Sequence, residues 1–97
     1  MKITRVELRN KEKEDSRMKA IANVKLDDVF AVTGIRLIQG DDKMFIAMPS
    51  RKIREGVYAD IAHPLNQETR KMFEDAIFET YEEMKKTGDE IYSKDFE

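Results

Sequence analysis

The segment from Asn66 to Met84 constrains the fold of this chain more than any other stretch. Its apolar residues recur at steps of three and four, the spacing that lines one face of an α-helix. They are Met72, Phe73, Ala76, Ile77, Tyr81 and Met84. Asn66 is a residue type that caps a helix N-terminus, and Gly88 stands where a left-handed residue would end the helix. Because a helix of about 20 residues is roughly 30 Å long, it can cover one face of a small sheet.

Length and composition predict one soluble domain. The chain has 97 residues, enough for a single modest core, and no cysteine, so disulfides, thiolate nucleophiles and zinc–thiolate clusters are excluded. No apolar run approaches the roughly 18–20 residues that span a bilayer, and the opening Met1–Thr4 is strand-like rather than signal-like. We therefore predict a cytoplasmic protein without a membrane partner.

Charge is distributed unevenly along the chain. The formal net charge is −2, but residues 1–73 carry 15 Lys/Arg against 11 Asp/Glu, a net of +4, and residues 74–97 carry 3 against 9, a net of −6. This asymmetry predicts a basic surface on the sheet side and an acidic C-terminal end. Ordinary solvated charge is the alternative.

Three segments before residue 40 have the alternating pattern of half-buried strands. Ile3–Arg9 alternates apolar or small residues with charged ones, and Met18–Leu26 and Val29–Ile38 are two longer candidates. The charged run Asn10–Arg17, which has no apolar residue, predicts an exposed loop between the first two strands.

The turn between the second and third strands decides which side chains share a face. Asp27-Asp28 tolerates the positive φ of a two-residue hairpin turn, which would pair Leu26 with Val29. Gly34 inside the third strand predicts a bulge or a bend. The face expected under the helix then carries Met18, Ala20, Ala22, Val24, Leu26, Val29, Ala31, Thr33, Ile35 and Leu37. The other face is more apolar than solvent exposure requires, so we expect a second subunit to cover it; its apolar residues are Ile21, Phe30, Val32 and Ile38.

Shorter elements follow. Met44–Met48 is a nearly continuous apolar run that predicts a strand buried on both sides, Ser50–Gly56 predicts a loop, and Val57–Ala62 predicts a last short strand. Together the segments predict an α+β fold: a small, twisted, mainly antiparallel sheet with one long C-terminal helix packed on it, in a domain of residues 1–88. Residues 89–97 form a tail, either a frayed turn or a docking segment.

The densest basic cluster of the chain consists of Arg51, Lys52 and Arg54. Clustered cations neutralise phosphates and release counterions, and the arginine fork can bind a guanine edge. We predict that these three residues bind nucleic acid. Arg70 and Lys71 in the first turns of the helix could extend this surface, and the alternative for them is a pair of local i,i+4 ion pairs with Glu74 and Asp75. Arg17, Lys19, Lys25 and Arg36 are weaker candidates.

Other residues are more readily explained by structure than by chemistry. His63 is the only histidine, so a buried or turn-capping role is favoured over metal binding. Phe45 is expected in the core, while Tyr58 is either a core residue or a stacking platform for bases. Glu79, Glu82 and Glu83 are expected on the solvated side of the helix. Since no nucleophile–base set can be assembled, we predict no enzyme, cofactor, metal or small-molecule substrate.

Several separated blocks, in order, resemble one protein family. They are Met1–Thr4, Arg17–Ala20, Asp28–Phe30, Phe45–Lys52 (Phe-Ile-Ala-Met-Pro-Ser-Arg-Lys) and Asp60–Pro64 (Asp-Ile-Ala-His-Pro). Together they resemble the SpoVG family of bacterial septation regulators, and the similarity runs from the start to about Met84. The chain departs from the family pattern at Ile53–Glu55, where members often have a Pro/Asp-containing turn, and from Lys85 onward.

The resemblance implies a small α+β protein that forms a homodimer and binds DNA, and in some members RNA, as a regulator of septation and gene expression. The alternative function is a protein–protein adaptor of the division machinery that uses the outward apolar patch or the acidic helix and tail. In that case DNA binding would be weak or incidental.

Overall fold

A computed structural model describes residues 1–12 and 17–96 of the chain. Over these residues the strands and the helix are β1 (Ile3–Asn10), β2 (Met18–Leu26), β3 (Phe30–Gln39), β4 (Met44–Ala47), β5 (Ser50–Arg54), β6 (Val57–Asp60), α1 (Gln67–Thr87) and β7 (Ile91–Asp95). Residues 13–16 of the predicted loop Asn10–Arg17 lie outside the described residues. Within the described ranges, no helix is long and apolar enough to cross a membrane.

Five of the strands form one sheet in the order β4-β3-β2-β1-β7, and all neighbours in it are antiparallel. Strands β5 and β6 form a separate two-stranded hairpin. The helix packs on one face of the five-stranded sheet, against β1 and β7. The predicted α+β class, a mainly antiparallel sheet with one long C-terminal helix, is confirmed.

Helix α1 begins and ends where the sequence predicts. The side chain of Asn66 accepts a hydrogen bond of 2.8 Å from the backbone N–H of Thr69, and Gly88, with φ of 76°, donates its N–H to Met84 O at 2.8 Å. A left-handed conformation at this position is one that glycine adopts without steric cost. The predicted apolar stripe is buried against the sheet, except that Met72 is only half-buried; its buried members are Phe73, Ala76, Ile77, Tyr81 and Met84.

Replacing Asn66 by alanine tests this cap. We expect the free energy of unfolding to fall by about 1 kcal/mol, because the first turn loses the acceptor for one of its unpaired N–H groups. Urea denaturation measures the difference. The matched control is Gln67→Ala, an exposed neighbour in the first turn that makes no capping bond. A loss no larger than that of the control would contradict a capping role for Asn66.

The turn between β2 and β3 is longer than predicted. Asp27 and Asp28 do have positive φ values, 52° and 59°, but Leu26 pairs with Phe30, so Val29 is part of the turn. The predicted pairing of Leu26 with Val29 is therefore wrong, and the early part of β3 is shifted by one residue. A shift of one residue exchanges the two faces of a strand. Accordingly Val29, Ala31 and Thr33 are exposed, and Val32 is buried on the helix side.

Gly34 reverses this exchange. The register of β2 and β3 shifts between Ala22 and Val24, so of the predicted alternatives the bulge is observed, and Gly34 has a φ of +83°. The side-chain oxygen of Asn23 accepts a hydrogen bond of 3.2 Å from the Gly34 N–H, which satisfies a backbone donor at the bulge. After the bulge, Ile35 and Leu37 are buried as predicted.

Strand β4 is an edge strand, buried on one side only. Ile46 is 1% exposed, whereas Phe45 is 39% exposed, so the prediction of a strand buried on both sides and of Phe45 in the core is wrong. The physical reason is that Ile46 shares the helix-covered face with Leu37, whereas Phe45 pairs with Ile38 on the face that the helix does not cover. The Phe45 ring instead lies over Gly40, where a Cβ would come within 3.1 Å of it.

The C-terminal segment docks onto the sheet. Strand β7 pairs with β1, and Lys94 forms ion pairs of 2.9 Å with Glu83 and 3.5 Å with Glu79. Tyr92 donates a hydrogen bond of 3.0 Å to Glu83. These donors, Lys94 first, lower the pKa of the Glu83 carboxyl. Of the tail's two predicted alternatives, docking is the one observed, and Glu83 is an anchor for the tail rather than a solvated carboxylate.

Candidate nucleic-acid interface

The predicted basic loop is in fact one strand and the turn of a hairpin. In β5–β6, Ser50 pairs with Asp60, Arg51 with Ala59, Lys52 with Tyr58 and Arg54 with Val57. The predicted loop Ser50–Gly56 is therefore wrong for residues 50–54. The predicted short strand Val57–Ala62 is confirmed as β6, which ends at Asp60, but it is not the last strand because β7 follows. Most of β5 is polar and exposed, so its sequence lacks the buried apolar alternation that signals a strand.

The hairpin exposes all three predicted cations, but their charges are not equally available. Lys52 Nζ lies 2.9 Å from Glu55 Oε1, three residues along the chain. Within the part of the chain that the structure describes, neither Arg51 nor Arg54 has an ion-pair or side-chain hydrogen-bond partner. The hairpin thus presents two guanidinium groups, each with five donors in a fixed fork, to solvent.

The hairpin also has an aromatic side chain beside its cations. Tyr58 is 64% exposed and pairs across the ribbon with Lys52. Directly paired residues lie on the same face of a two-stranded ribbon, and successive residues lie on opposite faces. Tyr58 and Lys52 therefore share one face, and Arg51 lies on the other. Of the two alternatives for Tyr58, the core is excluded by its exposure.

An apolar surface adjoins the base of the hairpin. The Ile61 N–H donates a hydrogen bond of 2.7 Å to Pro49 O. This bond holds the two ends of the hairpin together. Beside this link, Phe30, Pro49 and Ile61 line a shallow groove, and Phe30 and Ile61 are both more than 60% exposed. Large apolar side chains that cluster at the surface mark contact surfaces more often than isolated ones do.

Arg70 and Lys71 form the local ion pairs that were the alternative for them. Arg70 Nε lies 3.6 Å from Glu74, and Lys71 Nζ lies 2.9 Å from Asp75. Arg70 also donates a hydrogen bond of 2.8 Å to the carbonyl oxygen of Ile46 in β4, which ties the helix to the sheet. Sequence spacing gave no signal for this contact because it joins residues 24 positions apart. Nucleic-acid binding by Arg70 and Lys71 stays a prediction.

His63 lies at the surface near the start of the helix. Its Nδ1 is 3.1 Å from the carbonyl oxygen of Pro64, which can only accept a hydrogen bond, so Nδ1 donates. This contact fits the predicted turn-capping role rather than burial. Among the described residues, no three His, Asp or Glu side chains are grouped so as to hold a metal ion.

One buried ionisable group lies between the helix and β1. Tyr81 donates a hydrogen bond of 2.6 Å to Glu12, and burial, followed by this contact with a carboxylate, raises the pKa of its phenol. A phenol with a raised pKa stays protonated and neutral at physiological pH. The role that fits Tyr81 is to link the helix to the end of β1.

Comparison with known proteins places this arrangement in a family. The SpoVG family model matches residues 1–83, which include the whole hairpin and most of the helix. Three similar relatives are SpoVG proteins whose names refer to septation. The one from Bdellovibrio bacteriovorus is 50% identical over 80 residues, which cover 81% of this chain and 74% of the relative.

The relative from Caldicellulosiruptor bescii is 48% identical over 89 residues, covering 92% of this chain and all of the relative. The one from Clostridioides difficile is 48% identical over 83 residues, covering 86% of this chain and 89% of the relative. Identity of about half over most of both chains, together with the family match, leaves one conclusion. This chain belongs to the SpoVG family.

Proposed function

We propose that this SpoVG-family protein binds duplex DNA through the β5–β6 hairpin, as a cytoplasmic regulator of septation and gene expression. The observation that carries the proposal is the pair of exposed guanidinium groups, Arg51 and Arg54, which have no partner among the described residues. The septation role follows the names of the relatives.

The shape of the hairpin favours duplex DNA over duplex RNA. The major groove of B-DNA, about 12 Å wide, admits a two-stranded β-ribbon, whereas the deep and narrow major groove of A-form RNA does not. Arg51 and Arg54 would contact phosphates or guanine edges, whereas Lys52, which is already paired with Glu55 at 2.9 Å, would contribute less. Phosphate contacts would position the ribbon, and any base contact would confer sequence preference.

We also propose that the protein acts as a homodimer, joined at the apolar surface beside the hairpin. Support comes from Phe30 and Ile61, which line this surface together with Pro49 and are both more than 60% exposed. A symmetric dimer uses the same patch on both subunits, so it would present two hairpins and double the number of phosphate contacts.

The salt dependence of binding tests this function. Two arginines per subunit give about four phosphate contacts per dimer, and log K should then fall with log[salt] at a slope of about −3.6. We expect anisotropy titrations of duplex DNA to show this slope and affinity to fall about a hundredfold between roughly 50 and 200 mM salt. A wild-type protein that does not bind duplex DNA, or that binds it independently of salt, would contradict the proposal.

A second candidate function is a protein–protein adaptor in division. The same exposed apolar surface favours it, because hydrophobic association needs no cation. The two functions differ in their salt dependence, since burial of apolar surface does not weaken as salt rises, whereas phosphate contacts do. Replacing the hairpin arginines would leave an adaptor's binding unchanged.

A further inference from the structure

The sheet has a second face that the helix does not cover, which we call the open face. It carries every second residue of β1 and β2, the alternate residues of β3 that pair with them, and their neighbours in β4 and β7. Its side chains are half-buried or exposed. Its cations are Arg5, Arg9, Lys25 and Arg36, its carboxylates Glu7 and Asp95, and its larger apolar residues Ile21, Ile38, Phe45 and Ile91.

The strand pairing arranges these residues in rows across the sheet. Arg9 pairs with Ile21, and Ile21 pairs with Arg36, so an isoleucine separates two arginines in one row. With strands about 4.8 Å apart, the two arginine backbones are roughly 10 Å apart. In a second row Arg5 pairs with Lys25. In the first row an apolar residue therefore lies between two cations, whereas in the second row two cations are adjacent.

Of these four cations, only Arg5 forms an ion pair among the described residues. Arg5 is neutralised by Asp95, whose carboxylate oxygen is 2.6 Å from its guanidinium. Glu7 accepts a hydrogen bond of 3.4 Å from Asn23. For Arg9, Lys25 and Arg36, the described residues provide no ion pair and no side-chain hydrogen bond. Of these, Arg9 and Arg36 flank Ile21, so they form the centre of an unpaired cationic strip.

A concavity lies on the same face. It has a volume of 250 Å³ and is lined by residues of three strands, among them the cations Arg5 and Lys25, the carboxylate Glu7, and the polar residues Asn23 and Thr33. The lining combines cationic and amide donors with the apolar stems of the long side chains. Because Arg5 is paired with Asp95, Lys25 is the cation of this lining that an anion can reach, and the apolar stems give a surface for a planar group attached to that anion.

We propose that the open face binds single-stranded nucleic acid, with Arg9, Lys25 and Arg36 on phosphates and with Ile21, Ile38 and Phe45 beneath the bases. This inference goes beyond the proposed function and rests on it only for the class of ligand. Grooves that bind single strands without sequence preference combine cations that follow the backbone with aromatic side chains on which bases stack. Phe45, 39% exposed, is the one aromatic ring of this face.

Charge and shape disfavour the two other occupants. A second copy placed face to face would set the net positive charge of this face against itself, which like-charge repulsion opposes. A duplex would meet a broad sheet rather than a ribbon that enters its groove, whereas a single strand can lie flat and expose its bases. RNA and DNA single strands share this phosphodiester and base chemistry.

The test measures binding of fluorescein-labelled oligouridylate and oligothymidylate of about 12 nucleotides, the size of a typical single-strand site. Three variants are compared with the wild type: Arg9→Gln/Arg36→Gln on the open face, Arg51→Ala/Arg54→Ala on the hairpin, and Lys85→Gln/Lys86→Gln as a charge-matched control at the end of the helix. We expect the open-face variant to bind single strands roughly tenfold more weakly than the wild type, because two exposed ion pairs with phosphates are lost. Its affinity for duplex DNA should equal that of the wild type.

Thermal unfolding and the solution mass identify variants whose fold or assembly has changed. If Arg9→Gln/Arg36→Gln does not fold, Lys25→Gln/Arg36→Gln replaces it. The proposal is overturned if the wild type binds neither oligonucleotide, or if a folded open-face variant binds them with the affinity of the wild type. It is also overturned if the only change in that variant is a different oligomeric state. It is also overturned, while the hairpin function stands, if single-strand binding depends on Arg51 and Arg54 alone.

Discussion

Replacing Arg51 and Arg54 together by alanine is expected to weaken duplex DNA binding roughly a hundredfold for a dimer, since four exposed ion pairs of up to about 1 kcal/mol each are lost. The slope of log K against log[salt] should become shallower by about 0.9 for each phosphate contact removed. Both guanidinium groups are exposed and have no partner among the described residues, so their removal leaves no carboxylate unpaired. Fold stability should therefore not change.

Two matched variants show whether charge at the hairpin, rather than charge in general, causes the loss. Lys85→Ala/Lys86→Ala removes two cations from the last turn of the helix and should leave DNA affinity and salt slope unchanged. Lys52→Ala should have a smaller effect than either arginine, because Lys52 is paired with Glu55 at 2.9 Å before DNA binds. If the arginine variant keeps both affinity and salt slope, the hairpin is not the DNA site.

Replacing Ile77 by alanine is expected to lower the free energy of unfolding by about 2–5 kcal/mol. Ile77 is fully buried in the core formed by the helix and the sheet. The variant loses the transfer free energy of the removed methyl and methylene groups, and it leaves a cavity that a close-packed core fills only partly. Urea denaturation followed by circular dichroism measures the difference.

Glu82→Ala is the control for this prediction, because Glu82 is an exposed residue of the same helix. Its replacement should change the stability by less than about 0.5 kcal/mol. Similar small losses for Ile77→Ala and Glu82→Ala would contradict a helix packed on the sheet through Ile77. A large loss for Ile77 alone would support that packing.

The sequence predicted the helix well because every local signal agreed. The steps of three and four in the apolar residues, the cap at Asn66 and the glycine at residue 88 all indicate the same element with the same ends. The bulge at Gly34 was also predictable, since a glycine within a strand marks a bulge or a bend.

The register of β2 and β3 was harder to predict, because two turn lengths fit the same residues. Asp27 and Asp28 adopt the positive φ of a hairpin turn, but the turn also contains Val29, whose β-branched side chain suggested a strand. Because Val29 belongs to the turn, the two faces of β3 are the reverse of the predicted ones before Gly34. After the bulge at Gly34 they agree with the prediction. Alternation along a single strand cannot reveal such an exchange, because it depends on the partner strand.

The basic residues of the site were predictable, whereas their setting was not. A cluster of three cations within four positions is visible in any sequence, but the pairing of β5 with β6 depends on a partner strand and a turn rather than on a buried face. The tail was unpredictable for a similar reason. Its anchors on Glu79 and Glu83 join residues from different elements, and only the fold brings them together.

The most direct test of DNA binding by the hairpin is an NMR titration of the isotope-labelled wild-type protein with a short DNA duplex. We predict that the largest shift changes occur in the backbone amides of Ser50–Asp60 and in the side-chain Nε–Hε groups of Arg51 and Arg54. Changes concentrated instead on the helix and β7, with the hairpin unaffected, would contradict it.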